Sequence, residues 1–231
     1  MKNLLTSIIE RLINFFDLLH QNRIKNFYEA YNLDLVIDVG SHKGEFINSV
    51  LDRNIPIFSF EPNPYVRNLL EKNTNSFNII KYFDYAVSDK ADSVDFFINH
   101  LSSTSSLLAP NDKSFWIKFK KFLLGSQELI KERIVVKSVD LDSVLLDKID
   151  NYNNILLKID IEGAEGSALK GAVKILNSEK IKFIQIEKAA FDIYKENIND
   201  PHTILNELGF KTIKKFRFPL LNFSDVVYSK I

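Results

Sequence analysis

The stretch NILLKIDIEGAEGSALKGA, residues 154–172, opens as an apolar run, then places three carboxylates within six residues, and continues with a helical pattern. A short continuous apolar run is typical of a strand buried on both faces in a parallel sheet. Asp160 and Glu162 are two residues apart, so they lie on the same side if the strand persists, and Glu165 begins the following turn. The stretch therefore predicts a group of like charges at the carboxyl end of a buried strand.

Strand-like runs alternate with helical patterns along most of the chain. The helical patterns cover 44–53, 64–73, 140–148 and 166–178. This alternation predicts an α/β fold with a doubly wound, mostly parallel sheet covered by helices. GFKTIKKFRF (209–218) and DVVYSK (225–230) predict a C-terminal antiparallel pair at the sheet edge. The remaining strand-like runs are LVIDV (35–39), IPIFSFE (55–61), NIIKYFDYAV (78–87), VDFFI (94–98), RIVVKSV (133–139), ILLKIDI (155–161) and IKFIQIE (181–187).

Two segments lie outside this alternation. Apolar residues at helical spacing over 3–31 predict an N-terminal amphipathic helix, an extension at 1–32 preceding one domain at 33–231. We expect its apolar face to pack on the domain, with a second copy of the chain or a membrane surface as alternatives. Residues 100–131 hold a Ser/Thr cluster and SFWIKFKKFLLG (114–125), and this insertion is expected to cover a site as a lid.

Composition excludes several classes of protein. Thirty basic residues balance thirty acidic ones, so the chain shows no overall positive charge for nucleic acid. It has no cysteine, which fits a reducing cytoplasm and excludes disulfides and thiolate sites. No apolar run is long enough for a transmembrane segment, and charges at Glu10, Arg11 and Asp17 interrupt the N-terminal segment, so we do not read it as a signal peptide.

A ligand-binding turn is predicted after LVIDV. Asp38 is followed by Gly40, which permits the backbone to approach a ligand closely, and by Gly44 in a turn that opens a helix whose first amides can hold a negative group. Glu61 closes the next strand, near the spacing at which an acidic side chain meets ribose hydroxyls in nucleotide-binding sheets. The alternatives are that local amides satisfy Asp38 and that Glu61 is a helix-start charge.

The glycine pattern selects among adenosine-containing ligands. A pyrophosphate is usually held by G-x-G-x-x-G, whereas this turn has two glycines, four residues apart. A ligand with an adenosine end and no diphosphate fits better, and S-adenosylmethionine is such a ligand. An NAD-dependent oxidoreductase on a similar sheet remains the alternative.

Six motifs follow one another along the chain: IDVGSHKGEF (37–46), FSFEPNP (58–64), YAVSDK (85–90), VDLDSVL (139–145), LLKIDIEGAEGSALKGA (156–172) and IQIEK (184–188). In their order and approximate spacing they resemble the motifs of the FkbM-type methyltransferases, which use S-adenosylmethionine. The resemblance covers roughly residues 33–217 and implies the class I, Rossmann-like methyltransferase fold, with the adenine near residues 84–87. The family often reads D-V-G-A-N-x-G where this chain has Ser41 and His42. The cofactor-binding residues expected from the turn and the resemblance together are Asp38, Gly40, Ser41, His42, Gly44, Glu61, Pro62, Asn63, Asp84 and Ala86.

The carboxylates are the candidate catalytic groups, because methyl transfer to an alcohol requires alignment and removal of the hydroxyl proton. Glu187 ends a neighbouring strand, so it is expected to join Asp160 and Glu162. The group acts as a general base or holds a divalent ion such as Mg²⁺ or Mn²⁺, and we favour the metal-free reading because no specific metal loop is present. The alternative bases are His42 and His100.

Three further residues are predicted to bind the acceptor: Lys158, Ser105 and Glu165. In the competing interpretation, Glu165 caps a helix, Glu162 pairs with Lys158 or Lys188, and the serines form a solvated loop. The sequence thus predicts a methyltransferase acting on a hydroxyl of a sugar, a glycan precursor or another small biosynthetic intermediate. The family resemblance suggests polysaccharide biosynthesis as the setting. A catalytically silent adenosyl-binding protein that serves a partner enzyme is the other reading, and a homodimer is compatible with both.

Overall fold

Strands of the α/β fold form two sheets in the described part of the chain. The structure is a computed structural model that describes residues 2–51, 54–99, 105–108, 130–189, 200–218 and 223–230. Its strands are β1 (Leu35–Val39), β2 (Ile57–Phe60), β3 (Ile80–Phe83), β4 (Ala86–Val87), β5 (Asp92–Asn99), β6 (Ile130–Val139), β7 (Ile155–Ile159), β8 (Ile181–Ala189), β9 (Lys211–Arg217) and β10 (Phe223–Ser229).

Three of the described helices begin directly after a polar side chain that caps their first turn. Asn63, Asp140 and Asp200 each accept a hydrogen bond from a backbone amide of the first turn. The described helices are α1 (Lys2–Tyr28), α2 (Glu45–Val50), α3 (Pro64–Asn73), α4 (Leu141–Leu145), α5 (Glu165–Lys170), α6 (Val173–Asn177) and α7 (Pro201–Glu207).

The main sheet has seven strands in the order β3-β2-β1-β7-β8-β10-β9. The first five strands in this order pair in parallel, and β10 is antiparallel to both of its neighbours. The predicted mostly parallel sheet with a C-terminal antiparallel edge is confirmed. Because the chain moves outward from β1 to β3 and later returns beside β1 as β7, the order reverses between β1 and β7. Ligands of open parallel sheets bind at such a point.

The predicted strand 78–87 divides between two sheets. β3 pairs with β2 in the main sheet, whereas β4 pairs with β6 in a second sheet of order β4-β6-β5. VDFFI and RIVVKSV lie in β5 and β6, which pair antiparallel with each other rather than joining the main sheet. The alternation of strands and helices could not distinguish these pairings.

Two buried clusters cover the faces of the main sheet. One contains Ile37, Phe60 and Leu157 and lies under α4 to α7, and the other contains Val36 and Leu156 and lies under α1 to α3. The C-terminal part of α1 belongs to the second cluster through the buried Ile24 and Tyr28.

The N-terminal helix is confirmed, and part of it packs on the domain as expected. Phe15, Leu18 and Leu19 remain exposed, and their contact with a second chain or a membrane surface stays a prediction. Among the described helices, α1 included, none combines the length and the apolar character of a membrane span. Most of the predicted lid, and His100, lie outside the described residues.

Candidate functional site

The first component of the site is the glycine turn, residues 40–44, between β1 and α2. Gly40 has a φ of 86°, and a Cβ there would lie 2.0 Å from the carbonyl oxygen of Asp160. Gly44 has a φ of 83° and faces the Thr74 methyl group. The sequence suggested that Gly40 lets a ligand approach, but the structure gives a different reason: the glycine turn packs backbone to backbone on the turn after β7.

Glu61, at the end of β2, braces the glycine turn. Its carboxylate accepts hydrogen bonds of 2.8 Å from the His42 amide and of 2.8 Å from the Asn63 amide. Burial raises the pKa of Glu61, although both amides oppose the rise. A carboxylate has about four acceptor positions, so lone pairs remain for ribose hydroxyls. Asn63 also accepts a hydrogen bond from the Tyr65 amide, which fixes the start of α3. Pro62 lies between Glu61 and Asn63 in the sequence.

Hydroxyl groups connect the ends of β1 and β2. The buried Ser59 hydroxyl donates to the Ser41 hydroxyl at 2.7 Å, and Ser41 donates to the main-chain carbonyl of Asp38 at 3.0 Å. His42, with a φ of 47°, lies 3.0 Å from Glu45 through Nδ1. Ser41 therefore has an internal role, whereas His42 lies on the half-buried rim of the glycine turn.

Lys158 forms ion pairs with a carboxylate of β1 and with a carboxylate of the turn after β7. Its Nζ lies 3.3 Å from Asp38 and 3.2 Å from Asp160, and only 7% of its side chain is exposed. Burial alone would lower the pKa of Lys158, but Asp160 and Asp38 outweigh burial and raise the pKa, so the ammonium persists. This geometry gives Lys158 a bridging role between Asp38 and Asp160, and its contact with the acceptor stays a prediction.

Asp38 is a buried carboxylate that accepts no hydrogen bond from a described main-chain amide, and its Oδ1 lies 3.3 Å from the Lys158 ammonium. Its proximity to Lys158 lowers the pKa of Asp38, but burial is the larger effect and the net direction is upward. The alternative that local amides satisfy Asp38 does not hold in this structure.

The acidic turn, residues 160–165, follows β7. The strand ends at Ile159, and Glu162 has a φ of 56°, so Asp160 and Glu162 do not continue one strand as the spacing argument assumed. Glu165 is buried and accepts hydrogen bonds from the Ile161 amide at 3.2 Å and the Gly163 amide at 3.0 Å. Burial raises the pKa of Glu165. Glu165 thus braces the acidic turn rather than capping the helix that begins there, and its contact with the acceptor stays a prediction.

The structure brings Asp160, Glu162 and Glu187 together, and we call these three residues the acidic cluster. Burial raises the pKa of Glu187 well above its usual range, and the negative charges of Asp160 and Glu162 raise it further. The Asp160 side chain is 32% exposed, so part of it is open to solvent. Their catalytic role stays a prediction.

The other predicted site residues lie around this centre. Asp84 is exposed and pairs with Arg67 at 3.1 Å, and Ala86 is buried in β4. The Ser105 hydroxyl accepts from the Asn99 amide at 3.2 Å, which is a local bond at the end of β5. Their contacts with adenine and acceptor stay predictions.

Sequence reasoning missed Ser106. Its buried hydroxyl donates to the Glu162 carbonyl at 2.8 Å and accepts from the Leu108 amide at 3.0 Å. It therefore clamps the acidic turn from the segment that follows β5. The Ser/Thr cluster gave no signal that distinguished Ser106 from its neighbours.

Among the residues that the structure describes, no group of three or more His, Asp or Glu side chains is arranged to hold a metal ion. These residues consequently give no support to the divalent cation that the sequence left open.

Comparisons with known proteins agree with this architecture. A family model, the methyltransferase FkbM domain, matches residues 38–218. The crystal structure of methyltransferase FkbM from Methylobacillus flagellatus KT is similar, with a TM-score of 0.52, 15% identity and coverage of 85% of this chain and 43% of that one. This chain thus spans less than half the length of the Methylobacillus protein.

A second similar structure is magnesium protoporphyrin IX methyltransferase from Synechocystis PCC 6803 with bound SAH. Its TM-score is 0.50 at 8% identity, and the match covers 96% of this chain and 87% of that one. No curated protein matches the chain in sequence. At these identities the solved structures establish a shared class I, Rossmann-like fold.

Proposed function

The chain belongs to the FkbM methyltransferase family, and from this premise we propose that it transfers a methyl group from S-adenosylmethionine to a hydroxyl of a sugar, a glycan precursor or another small intermediate. The observation that carries the proposal is the contact between the glycine turn and the acidic turn. It puts the predicted cofactor residues of β1 and β2 next to carboxylates that can manage the acceptor proton.

The residues present fit an adenosyl ligand. Glu61 is held rigidly by two amides and retains lone pairs for ribose hydroxyls. The Asp38 carboxylate contacts Lys158 through Oδ1, whereas Oδ2 has no hydrogen-bond partner among the described residues, and a buried polar atom of this kind usually has one. We assign Glu61 to the ribose, Asp38 and the glycine turn to the amino-acid portion, and the region of Asp84 to Ala86 to the adenine. When bound, the cofactor supplies an electrophilic methyl group.

The side chains of the acidic turn then act on the acceptor. Lys158 donates a hydrogen bond of 3.2 Å to Asp160 and orients this carboxylate, so Asp160 is positioned to take the hydroxyl proton. The raised pKa of Glu187 favours its protonated form, which can donate a hydrogen bond to a neighbouring acceptor oxygen. One proton acceptor and one donor are a suitable pair for a polyhydroxylated molecule.

The test is transfer of a labelled methyl group from S-adenosylmethionine to extracts of candidate acceptors. We expect Asp160→Asn to lower the rate about 100-fold or more, the scale of general base catalysis, with cofactor affinity nearly unchanged. Asp147→Asn is the matched control, because Asp147 is exposed and distant in sequence from the acidic turn. Equal rates for the wild type and Asp160→Asn would refute the assigned role, and transfer with neither would refute the activity.

A further inference from the structure

A buried chain of hydrogen bonds connects α1 to the strands beside the acidic cluster. His20 Nε2 lies 2.6 Å from one carboxylate oxygen of Asp225 in β10. The side-chain amide of Gln185, in β8, donates through Nε2 to the other carboxylate oxygen at 2.8 Å. The Tyr28 hydroxyl donates to the side-chain oxygen of Gln185 at 2.8 Å. All four residues are buried, so the chain of hydrogen bonds is a fixed part of the interior.

The register of the sheet places this chain beside the acidic cluster. Asp225 is directly opposite Glu187 across the antiparallel pair, where Cβ atoms lie about 4.5 to 5.5 Å apart on one face. Gln185 is two residues before Glu187, so both side chains leave β8 on that face. Gln185 is also the partner of Lys158 across the parallel pair. The chain of hydrogen bonds therefore ends at the cluster that we assign to the acceptor.

Several charges act on the Glu187 carboxyl from the surrounding elements. Those of the acidic turn and of β10 are negative, and that of β7 is positive. Two further titratable side chains, both in α1, lie close to Asp225. One of them, Asp17, also lies close to Glu45 of α2. These groups are Asp160 and Glu162 of the acidic turn, Asp225 of β10, Lys158 of β7, and Asp17 and His20 of α1.

We propose that Asp225 is a positioning residue for Glu187, and that α1 belongs to the active site because His20 holds Asp225 in place. This inference rests on the proposed function, in which Glu187 donates a hydrogen bond to the acceptor. A negative charge held opposite Glu187 disfavours a second negative charge there, so it keeps the proton on Glu187. The predicted extension 1–32 accordingly contains a residue that acts on the chemistry.

The test is a ¹³C NMR titration of the glutamate side-chain carboxyls, which needs neither cofactor nor acceptor. The Glu187 signal is assigned as the one that Glu187→Gln removes. In Asp225→Asn we expect Glu187 to titrate at lower pH than in the wild type, whereas Asp147→Asn leaves its midpoint unchanged. If Asp225→Asn does not fold, Asp225→Ser removes the charge while keeping one hydroxyl oxygen at this position, and it carries the same expectation. An unchanged midpoint in the folded variant would show that Asp225 is only structural.

The part played by α1 is tested with His20→Ala, paired with Asn22→Ala at an exposed position of the same helix. We expect His20→Ala to move the Glu187 midpoint and Asn22→Ala to leave it in place. If both variants titrate like the wild type, α1 does not take part in the site. Because methyl transfer is not measured here, a failure of the proposed function cannot be mistaken for a failure of this inference.

Discussion

Glu61 combines two roles at the scale of a single residue. It accepts hydrogen bonds from the amides of His42 and Asn63, and we propose that its remaining lone pairs accept hydrogen bonds from the ribose hydroxyls. The sequence could predict an acidic residue there from its spacing to Gly40. It could not predict the two amide contacts, because those depend on how the glycine turn folds against the end of β2.

Glu61→Ala is expected to weaken S-adenosylmethionine binding by about 1.5 to 3 kcal/mol, the scale of hydrogen bonds to a charged group. It should also lower the free energy of unfolding, because two inward-facing amides lose their acceptor. Calorimetry and urea denaturation measure the two effects, and Glu71→Ala at an exposed position of α3 is the control. Unchanged affinity in a folded variant would remove Glu61 from the cofactor site.

Glu187 should make stability depend on pH. Its folded-state pKa is raised, so the folded protein keeps a proton that the unfolded chain loses above about pH 4.3. Stability therefore falls as pH rises from that value through the folded-state pKa. Glu187→Gln cannot titrate, so its stability advantage over the wild type should grow across this window. Urea midpoints at a series of pH values measure it, and a difference that does not vary with pH would contradict the raised pKa.

At the scale of elements, boundaries were predictable where a local signal marks them. α3 begins at Pro64 behind the capping Asn63, and β1 coincides with the apolar run LVIDV. The end of β7 at Ile159 was not predictable, because the left-handed turn at Glu162 depends on the clamps from Glu165 and Ser106. The contact from Ser106, 56 positions away from Glu162, is one that the local pattern could not indicate.

The predicted helix 166–178 shows the same dependence. It is interrupted between α5 and α6, where a Cβ on Gly171 would lie 2.2 Å from the Ser88 carbonyl oxygen. The close approach of the segment after β4 therefore requires glycine at this position. Nothing in the local helical periodicity indicates that neighbour.

The packing of the glycine turn on the acidic turn can be tested with a matched pair of glycines. Gly40 and Gly209 have φ values of 86° and 84°, but only Gly40 would place a Cβ against backbone, at 2.0 Å from Asp160. Gly209→Ala should lower the free energy of unfolding by about 1 to 2 kcal/mol, because alanine is disfavoured in the left-handed conformation. Gly40→Ala should cost clearly more, because the two turns must also separate. Equal losses in thermal or urea unfolding would show that the turns do not need this contact.

Across the whole molecule, the site lies where the two halves of the main sheet meet. β1 and β2 supply the predicted cofactor residues, and β7 and β8 lead to the acidic cluster. Lys158 and Asp38 join the halves at the β1–β7 boundary. The parallel sheet and this boundary were predictable from the order of motifs. The link between His20 and Asp225 was not, because the two residues are 205 positions apart and neither belongs to a motif.

Calorimetric titration of the wild-type protein with S-adenosylmethionine, S-adenosylhomocysteine and NAD tests whether the site binds an adenosyl ligand without a diphosphate. The two-glycine turn, Glu61 and the family all favour an adenosyl ligand without a diphosphate. We expect saturable binding of one equivalent of S-adenosylmethionine and of S-adenosylhomocysteine, and no binding of NAD. Binding of NAD without binding of S-adenosylmethionine would contradict the account.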